Sequence, residues 1–115
     1  ILMLEVLEHL DNWKLFISKI KKNLNTKGVM IISTINRNLI SKYTTILLAE
    51  NILKWIPVGT HDFNKFIKPN EIKEISNNED LKFRNLRGLV YFPITNEWKF
   101  SKNTTVNYFC SLYKS

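Results

Sequence analysis

The run VMIISTI, Val29 to Ile35, constrains the fold of this 115-residue chain more than any other stretch. It is a continuous apolar and β-branched run, of the kind that suits a strand buried on both faces in a parallel sheet. The residues before it complete a unit. Ile1 to Leu4 reads as a short buried strand. LDNWKLFISKIKKNL then has helical spacing, with Leu10 or Trp13, Phe16 or Ile17, Ile20 and Leu24 recurring at three- and four-residue steps. Asp11 or Asn12 can cap its start, because a short side-chain oxygen accepts from free backbone N–H groups there. Gly28 suits the reversal after the helix. The first 35 residues therefore read strand, helix, strand. That is one βαβ unit with a right-handed crossover, and it predicts an α/β fold with a mostly parallel sheet.

Leu39 to Ile56 is the next helical candidate, apolar on nearly all sides and so in need of cover. Pro57 and Gly59 end it, and Thr60 to Pro69 reads as a loop. A short helix is expected from near Pro69, with Asn70 in its first turn. Residues 82–92 and 104–113 carry β-branched and aromatic residues in partial alternation. They predict an antiparallel pair at the sheet edge, separated by PITNEWKFSKN, since no crossover helix lies between them. There is no internal repeat and no linker, so the chain reads as one domain.

Charge narrows the partners. The chain carries a net charge of +7, which favours anionic surfaces such as lipid headgroups or nucleic acid. The lysines are dispersed, however, and the aromatics read as core rather than as a stacking platform, so nucleic acid is not expected. No run reaches the ~20 apolar residues of a membrane helix. The single cysteine, Cys110, cannot form an internal disulfide. The chain opens without Met inside a strand-like run, and reads as the C-terminal part of a longer protein.

The densest chemistry is E-x-x-E-H, made of Glu5, Glu8 and His9 directly after the first strand. A helical turn there would place all three on one side. Carboxylate oxygens with an imidazole suit magnesium, manganese or iron. The site would lie at the carboxyl end of a parallel strand, where open α/β sheets bind ligands. The plainer alternative is that acidic residues near a helix N-terminus favour its dipole. His61 and Asp62 form a second polar pair, in which the carboxylate could orient the imidazole as a base. Thr34, Asn36 and Arg37 follow the second strand on the same ligand-binding edge. No catalytic serine triad, metal-binding cysteine set or phosphate-gripping glycine loop is present in the sequence.

Taken in order, LEVLEHL, KGVMIISTINRN, AENILKWIPVGTHDFNKFIKP, GLVYFPITNEWKF and VNYF resemble the C-terminal half of the ubiquinone-biosynthesis O-methyltransferases. The resemblance implies a Rossmann-like methyltransferase fold, a mostly parallel sheet with an antiparallel final strand. It implies O-methylation, from S-adenosylmethionine, of catechol-type hydroxyls on polyprenylated quinone precursors. It implies that Glu5, Glu8 and His9 bind Mg2+ and that Leu4 lies against the cofactor. Residues 37–68 would form a helix-loop insertion over the active site, with Asn36, His61, Asp62 and Lys65 on the substrate side. Trp55, Ile56 and Val58, beside Lys54 and Lys65, would make an interfacial patch. The implied partners are a polyprenylated phenolic lipid, the membrane surface and other ubiquinone-biosynthesis proteins. The implied place is the matrix side of the mitochondrial inner membrane or the bacterial cytoplasmic membrane.

One departure from the pattern matters. The family's glycine-rich loop and its ribose-binding acid belong upstream of these residues, so the isolated chain is expected to be inactive. Competing readings are an inactive truncated remnant, a basic α/β module bound to membranes or nucleic acid, and a Rossmann-like methyltransferase acting on another small phenol.

Overall fold

A computed structural model of the chain describes residues 1–41, 62–92 and 94–115. Strand β1 (Leu2–Leu4) leads through a 3-10 turn (Leu7–His9) into helix α1 (Trp13–Lys21), and β2 (Val29–Ile35) follows. After a helical turn at Leu39–Ser41 and a 3-10 turn at Phe63–Lys65 come helix α2 (Pro69–Asn78) and strands β3 (Leu81–Phe92), β4 (Glu97–Ser101) and β5 (Asn107–Lys114). The expected helix Leu39–Ile56 and its end at Pro57 and Gly59, most of the expected 37–68 insertion, His61, and the apolar patch at Trp55, Ile56 and Val58 lie outside the described residues.

The five strands form one sheet in the order β1-β2-β5-β3-β4. β1 and β2 pair in parallel, Leu2 opposite Ile31 and Leu4 opposite Ser33, as the βαβ reading requires. β5 runs antiparallel to both of its neighbours, β2 and β3. β1, β2 and β3 therefore all run one way, and the last strand is wedged between two of them. The expected antiparallel partnership of residues 82–92 with 104–113 is present, but the last strand is interior, not at the edge. The edge belongs to β4, from the segment expected to be a connection, whose Glu97 and Ser101 lie opposite Phe92 and Gly88. A short strand with charged residues at alternate positions is a normal edge, and a weak signal in sequence.

Strand alternation gives the sheet two distinct faces. On the first, Met3, Met30, Ile32, Tyr108, Cys110 and Leu112 pack with Ile17 of α1 and Ile72 of α2 in a dry core. Burial there pushes the Cys110 thiol up to about 12, so it stays a neutral packing group. The second face carries Leu2, Leu4, Ser33, Ile35, Asn107 and Phe109. β1 was expected to be buried, yet only Met3 of its three residues is, and Leu2 and Leu4 are exposed.

Local signals explain the ends of the elements. Asn12 is the cap of α1, its Oδ1 accepting from the Leu15 N–H at 3.1 Å. Pro69 opens α2, and the Glu71 carboxylate reaches back to accept from the Lys68 N–H at 2.9 Å. At the turn after α1 the left-handed residue is Lys27 (φ 62°), not Gly28. Gly28 is needed for space instead, since a Cβ there would meet the Asn25 carbonyl oxygen at 2.7 Å. In β3 the pairing slips by one residue between Arg84, opposite Ser111, and Arg87, opposite Phe109. Asn85 sits in the left-handed region (φ 57°) within this β-bulge.

Candidate active site

The carboxyl end of β1 meets the carboxyl end of β2, and the acidic residues collect there. Glu5 leaves the strand in the left-handed region (φ 55°), an uncommon conformation for a residue with a side chain. Its N–H donates to the Ser33 carbonyl at 3.0 Å and to Ser33 Oγ at 3.1 Å. That turn, followed by the 3-10 turn Leu7–His9, brings Glu8 back beneath Glu5. The two carboxyls meet, but through a strand-to-turn reversal, not the single helical turn that the spacing predicts.

Two adjacent residues of β2 hold the pair. Ser33 Oγ donates to Glu5 Oε1 at 3.1 Å, and Thr34 Oγ1 donates to Glu8 Oε2 at 2.8 Å. Neighbouring strand residues point to opposite faces. Ser33 and Thr34 therefore grip the two carboxyls from opposite sides of the sheet edge. Asn107 of β5 adds a longer contact, its Nδ2 lying 3.5 Å from Glu5 Oε1. Sequence reading placed Thr34 on the ligand edge but passed over Ser33 and Asn107. Nothing local in the sequence marks Asn107, which reaches the site only because the last strand is inserted beside β2.

The electrostatics of this pair are unsatisfied. Glu8 is buried, with 4% of its surface exposed, and its Oε1 has no hydrogen-bond partner. Burial, and then the adjacent Glu8 carboxyl, push the Glu5 carboxyl up to about 7, against the pull of the Ser33 and Asn107 donors. Such a site holds one negative charge readily and two only with a cation. The His9 side chain is half-exposed, its Nε2 4.0 Å from Glu8 Oε1. Among the described residues, no three His, Cys, Asp or Glu side chains converge as a ready metal cage. Two contacting carboxyls with one orphaned, buried oxygen nevertheless suit a hard cation that keeps several of its waters.

The other expected site residues are placed as follows. Leu4 lies half-exposed on the second sheet face, one residue before Glu5. The Asn36 amide donates to the Thr104 carbonyl at 2.9 Å and its N–H to the Val106 carbonyl at 2.7 Å, tying down the entry to β5. Asp62 caps the turn Phe63–Lys65, accepting from the Asn64 N–H at 3.0 Å. Lys65 pairs with the exposed Asp11 at 3.2 Å. Arg37 bridges β2 and α2, holding Glu71 at 2.8 Å and the Phe66 carbonyl at 3.1 Å. The Tyr108 hydroxyl donates to the Ile67 carbonyl at 2.6 Å, so residues 66–71 are anchored beside the same sheet edge.

Comparison with known proteins agrees with this geometry. Ubiquinone biosynthesis O-methyltransferase of Rickettsia felis is 44% identical over 112 residues, 97% of this chain and 46% of the relative. The protein of the same name from Pelagibacter ubique is 40% identical over 115 residues, all of this chain and 48% of the relative. A mitochondrial ubiquinone biosynthesis O-methyltransferase of Dictyostelium discoideum is 43% identical over 105 residues, 91% of this chain and 33% of the relative. The chain thus spans about half or less of the length of these relatives. A family model described as a methyltransferase domain matches residues 1–93, from the first strand through the carboxylate edge and α2 to the end of β3. This chain belongs to the methyltransferase-domain family.

Proposed function

We propose that these residues form the acceptor-side half of an S-adenosylmethionine-dependent O-methyltransferase that methylates a catechol-type hydroxyl on a polyprenylated ubiquinone precursor. The observation that carries the reading is the Glu5–Glu8 pair at the carboxyl end of a parallel strand, in a chain similar along its length to ubiquinone biosynthesis O-methyltransferases. Methyl transfer from a sulfonium needs an acceptor oxygen in line with the S–CH3 bond. A phenol hydroxyl titrates near 10, so at neutral pH its proton must be displaced or its anion stabilised. Glu5 and Glu8 would hold Mg2+, with His9 turning toward it. When bound, the ion supplies Lewis-acid stabilisation of the phenolate.

The rest of the work belongs to the chain. Ser33 and Thr34 fix the two carboxyls, and so fix the acceptor with respect to the donor, which lowers the entropic part of the barrier. Leu4 packs against the adenosyl group. Asn36, His61, Asp62 and Lys65 border the acceptor. While His9 gives its lone pair to the ion it cannot take the phenol proton, which leaves His61 as the base. A lipid-borne acceptor requires contact with a membrane surface, in a bacterial cytoplasm or a mitochondrial matrix, and with the other proteins of ubiquinone synthesis.

The test uses the natural full-length polypeptide that carries these residues. Transfer of a labelled methyl group from S-adenosylmethionine to a water-soluble catechol is measured with Mg2+ and with chelator. We expect Glu5→Gln and Glu8→Gln each to lower turnover by about a hundredfold or more, comparable to loss of one transition-state stabilising group. Full turnover in both variants, insensitive to chelator, would overturn the metal role. Absence of any methyl transfer by the wild type would overturn the reading as a whole.

A further inference from the structure

The far end of the sheet carries a feature that the chemistry of the carboxylate site does not use. At the β3–β4 hairpin, Phe92 (44%), Ile94 (100%), Trp98 (58%) and Phe100 (68%) are exposed. They do not form a single packing face. Trp98 and Phe100 alternate onto the second sheet face, where the Phe100 ring stands edge-on to Phe109 with centroids 5.5 Å apart. Phe92 lies opposite Glu97 and points to the other side, with Lys99 Nζ 5.4 Å above its ring. Ile94 stands in the turn between the strands. A packed helix or a second sheet would cover one side of such a hairpin and leave the other wet. A lipid interface covers both.

The charge is concentrated in the same region. Residues 81–115 contain six Lys and Arg and one acidic residue, Glu97, so about +5 of the chain's +7 lies in its last 35 residues. Lys82, Arg84, Arg87, Lys99 and Lys102 are all exposed. Glu97 is the partner of Lys99 at 3.4 Å. Exposed aromatic and aliphatic tips backed by a cationic body are the composition of a surface that enters the headgroup layer of an anionic bilayer.

Topology aims this tip. β3 runs parallel to β1 and β2, so Phe92 leaves the sheet at the edge where Glu5 and Glu8 sit. Leu89 lies opposite Asn107, which lies opposite Ile35, and Phe92 is three residues past that row. At about 3.3 Å per residue, the tip projects roughly 10 Å beyond the carboxylate edge. Burial of roughly 5–10 Å is typical for interfacial elements.

We propose that the β3–β4 hairpin is a lipid-docking tip, inserting Phe92, Ile94, Trp98 and Phe100 into the interface of an anionic membrane and turning the carboxylate edge toward the bilayer. It deepens the reading of a lipid-borne acceptor and rests on that reading for its purpose, though not for its residues.

Flotation with phosphatidylglycerol–phosphatidylcholine vesicles, against pure phosphatidylcholine, tests it. The wild-type chain should float with the anionic vesicles, and less so at high salt. Ile94→Asp and Trp98→Asp, at exposed positions that leave the circular dichroism unchanged, should each weaken partitioning about tenfold or more, the factor expected for withdrawing one large apolar side chain from lipid. Lys99→Glu with Lys102→Glu should reduce anionic binding and leave neutral binding alone. A wild type that stays in solution, or variants that float as it does, would overturn the proposal. So would a wild-type dimer in sedimentation that Trp98→Asp dissociates with no change in flotation, since a second copy would then cover the tip. Turnover of a water-soluble catechol by the full-length protein separates the two readings. Intact turnover with lost flotation in the Asp variants leaves both standing. Intact turnover with unaltered flotation removes only the docking tip. Absent turnover in the wild type removes only the methyltransferase reading.

Discussion

The two ends of the sheet break the ordinary partition of residues in opposite directions. At the β1–β2 end a carboxyl, Glu8, is 4% exposed, and at the β3–β4 end an isoleucine, Ile94, is fully exposed. Buried acids and bare large apolar side chains are the informative exceptions in a folded chain. Between them β5 supplies ordinary core, with Tyr108, Cys110 and Leu112 buried. The contrast teaches that stability here is concentrated in the middle of the sheet, while both ends at its carboxyl edge are arranged for something outside the chain. One end needs a cation, the other an apolar medium.

The comparison can be broken most severely at Gly88. A Cβ there would lie 1.5 Å from the Asn103 carbonyl oxygen, where the chain crosses over β3 on its way into β5. Asn36 and Asn38 hold the same crossing segment through the Thr104 and Thr105 carbonyls. Gly88→Ala should cost roughly 3 kcal/mol or more in urea unfolding, because backbone and not a side-chain tip must move. A cost below about 1 kcal/mol would mean that the crossing is loosely packed.

Next in size is the pH response of the carboxylate end. Glu5 titrates at about 7 when folded and near 4.5 when unfolded. A raised folded value means the folded state binds the proton more tightly. Its contribution is therefore fully present below about 4.5 and is lost as pH rises through about 7. Melting temperature without divalent metal should fall across that window and level off above it. Glu5→Gln should flatten the fall, and added Mg2+ should restore stability at pH 8. Identical profiles for wild type and variant would place the titrating group elsewhere. The hairpin variants should leave this profile unchanged, which sharpens the distinction between the two ends.

Smaller effects separate the two holders of the pair. Thr34→Val keeps shape but leaves a second oxygen of buried Glu8 without a donor. We expect a loss of about 1–2 kcal/mol at pH 8, together with weaker Mn2+ binding by electron paramagnetic resonance. Ser33→Ala should cost less, about 0.5–1 kcal/mol, because Glu5 keeps Asn107 and is less deeply buried. Equal costs would mean that both carboxyls are equally solvated.

The βαβ unit was legible because its cause is local. The runs around Met3 and Met30 and the spacing of Ile17, Ile20 and Leu24 encode burial directly. E-x-x-E-H was legible as composition, and Glu5 and Glu8 do meet. The route by which they meet was not, since a left-handed Glu5 and a 3-10 turn leave no periodic mark. The two holders on β2 were hidden for a different reason. Ser33 and Thr34 sit inside a run that reads as uniformly apolar, and their role depends on which strand lies alongside. Asn107 is farther from view still, because its place is set by a strand exchange spanning most of the chain. The edge strand β4 was read as a connection because five residues with exposed aromatics resemble a loop as much as a strand.

The bulge at Asn85 has a consequence for the orientation of everything after it. Before it, Lys82 and Arg84 point to the second face, and after it Arg87 and Leu89 do. A single extra residue thus reverses the odd–even code of the strand halfway along. Were Asn85 deleted with the later pairing kept, Lys82 and Arg84 would turn inward and Leu81 and Phe83 outward, emptying the core under α2. Were the earlier pairing kept instead, Gly88 would leave the crossing and the hairpin would present its opposite side. One left-handed asparagine is therefore the phase marker that lets a single strand serve a dry interior at its start and an outward-facing tip at its end.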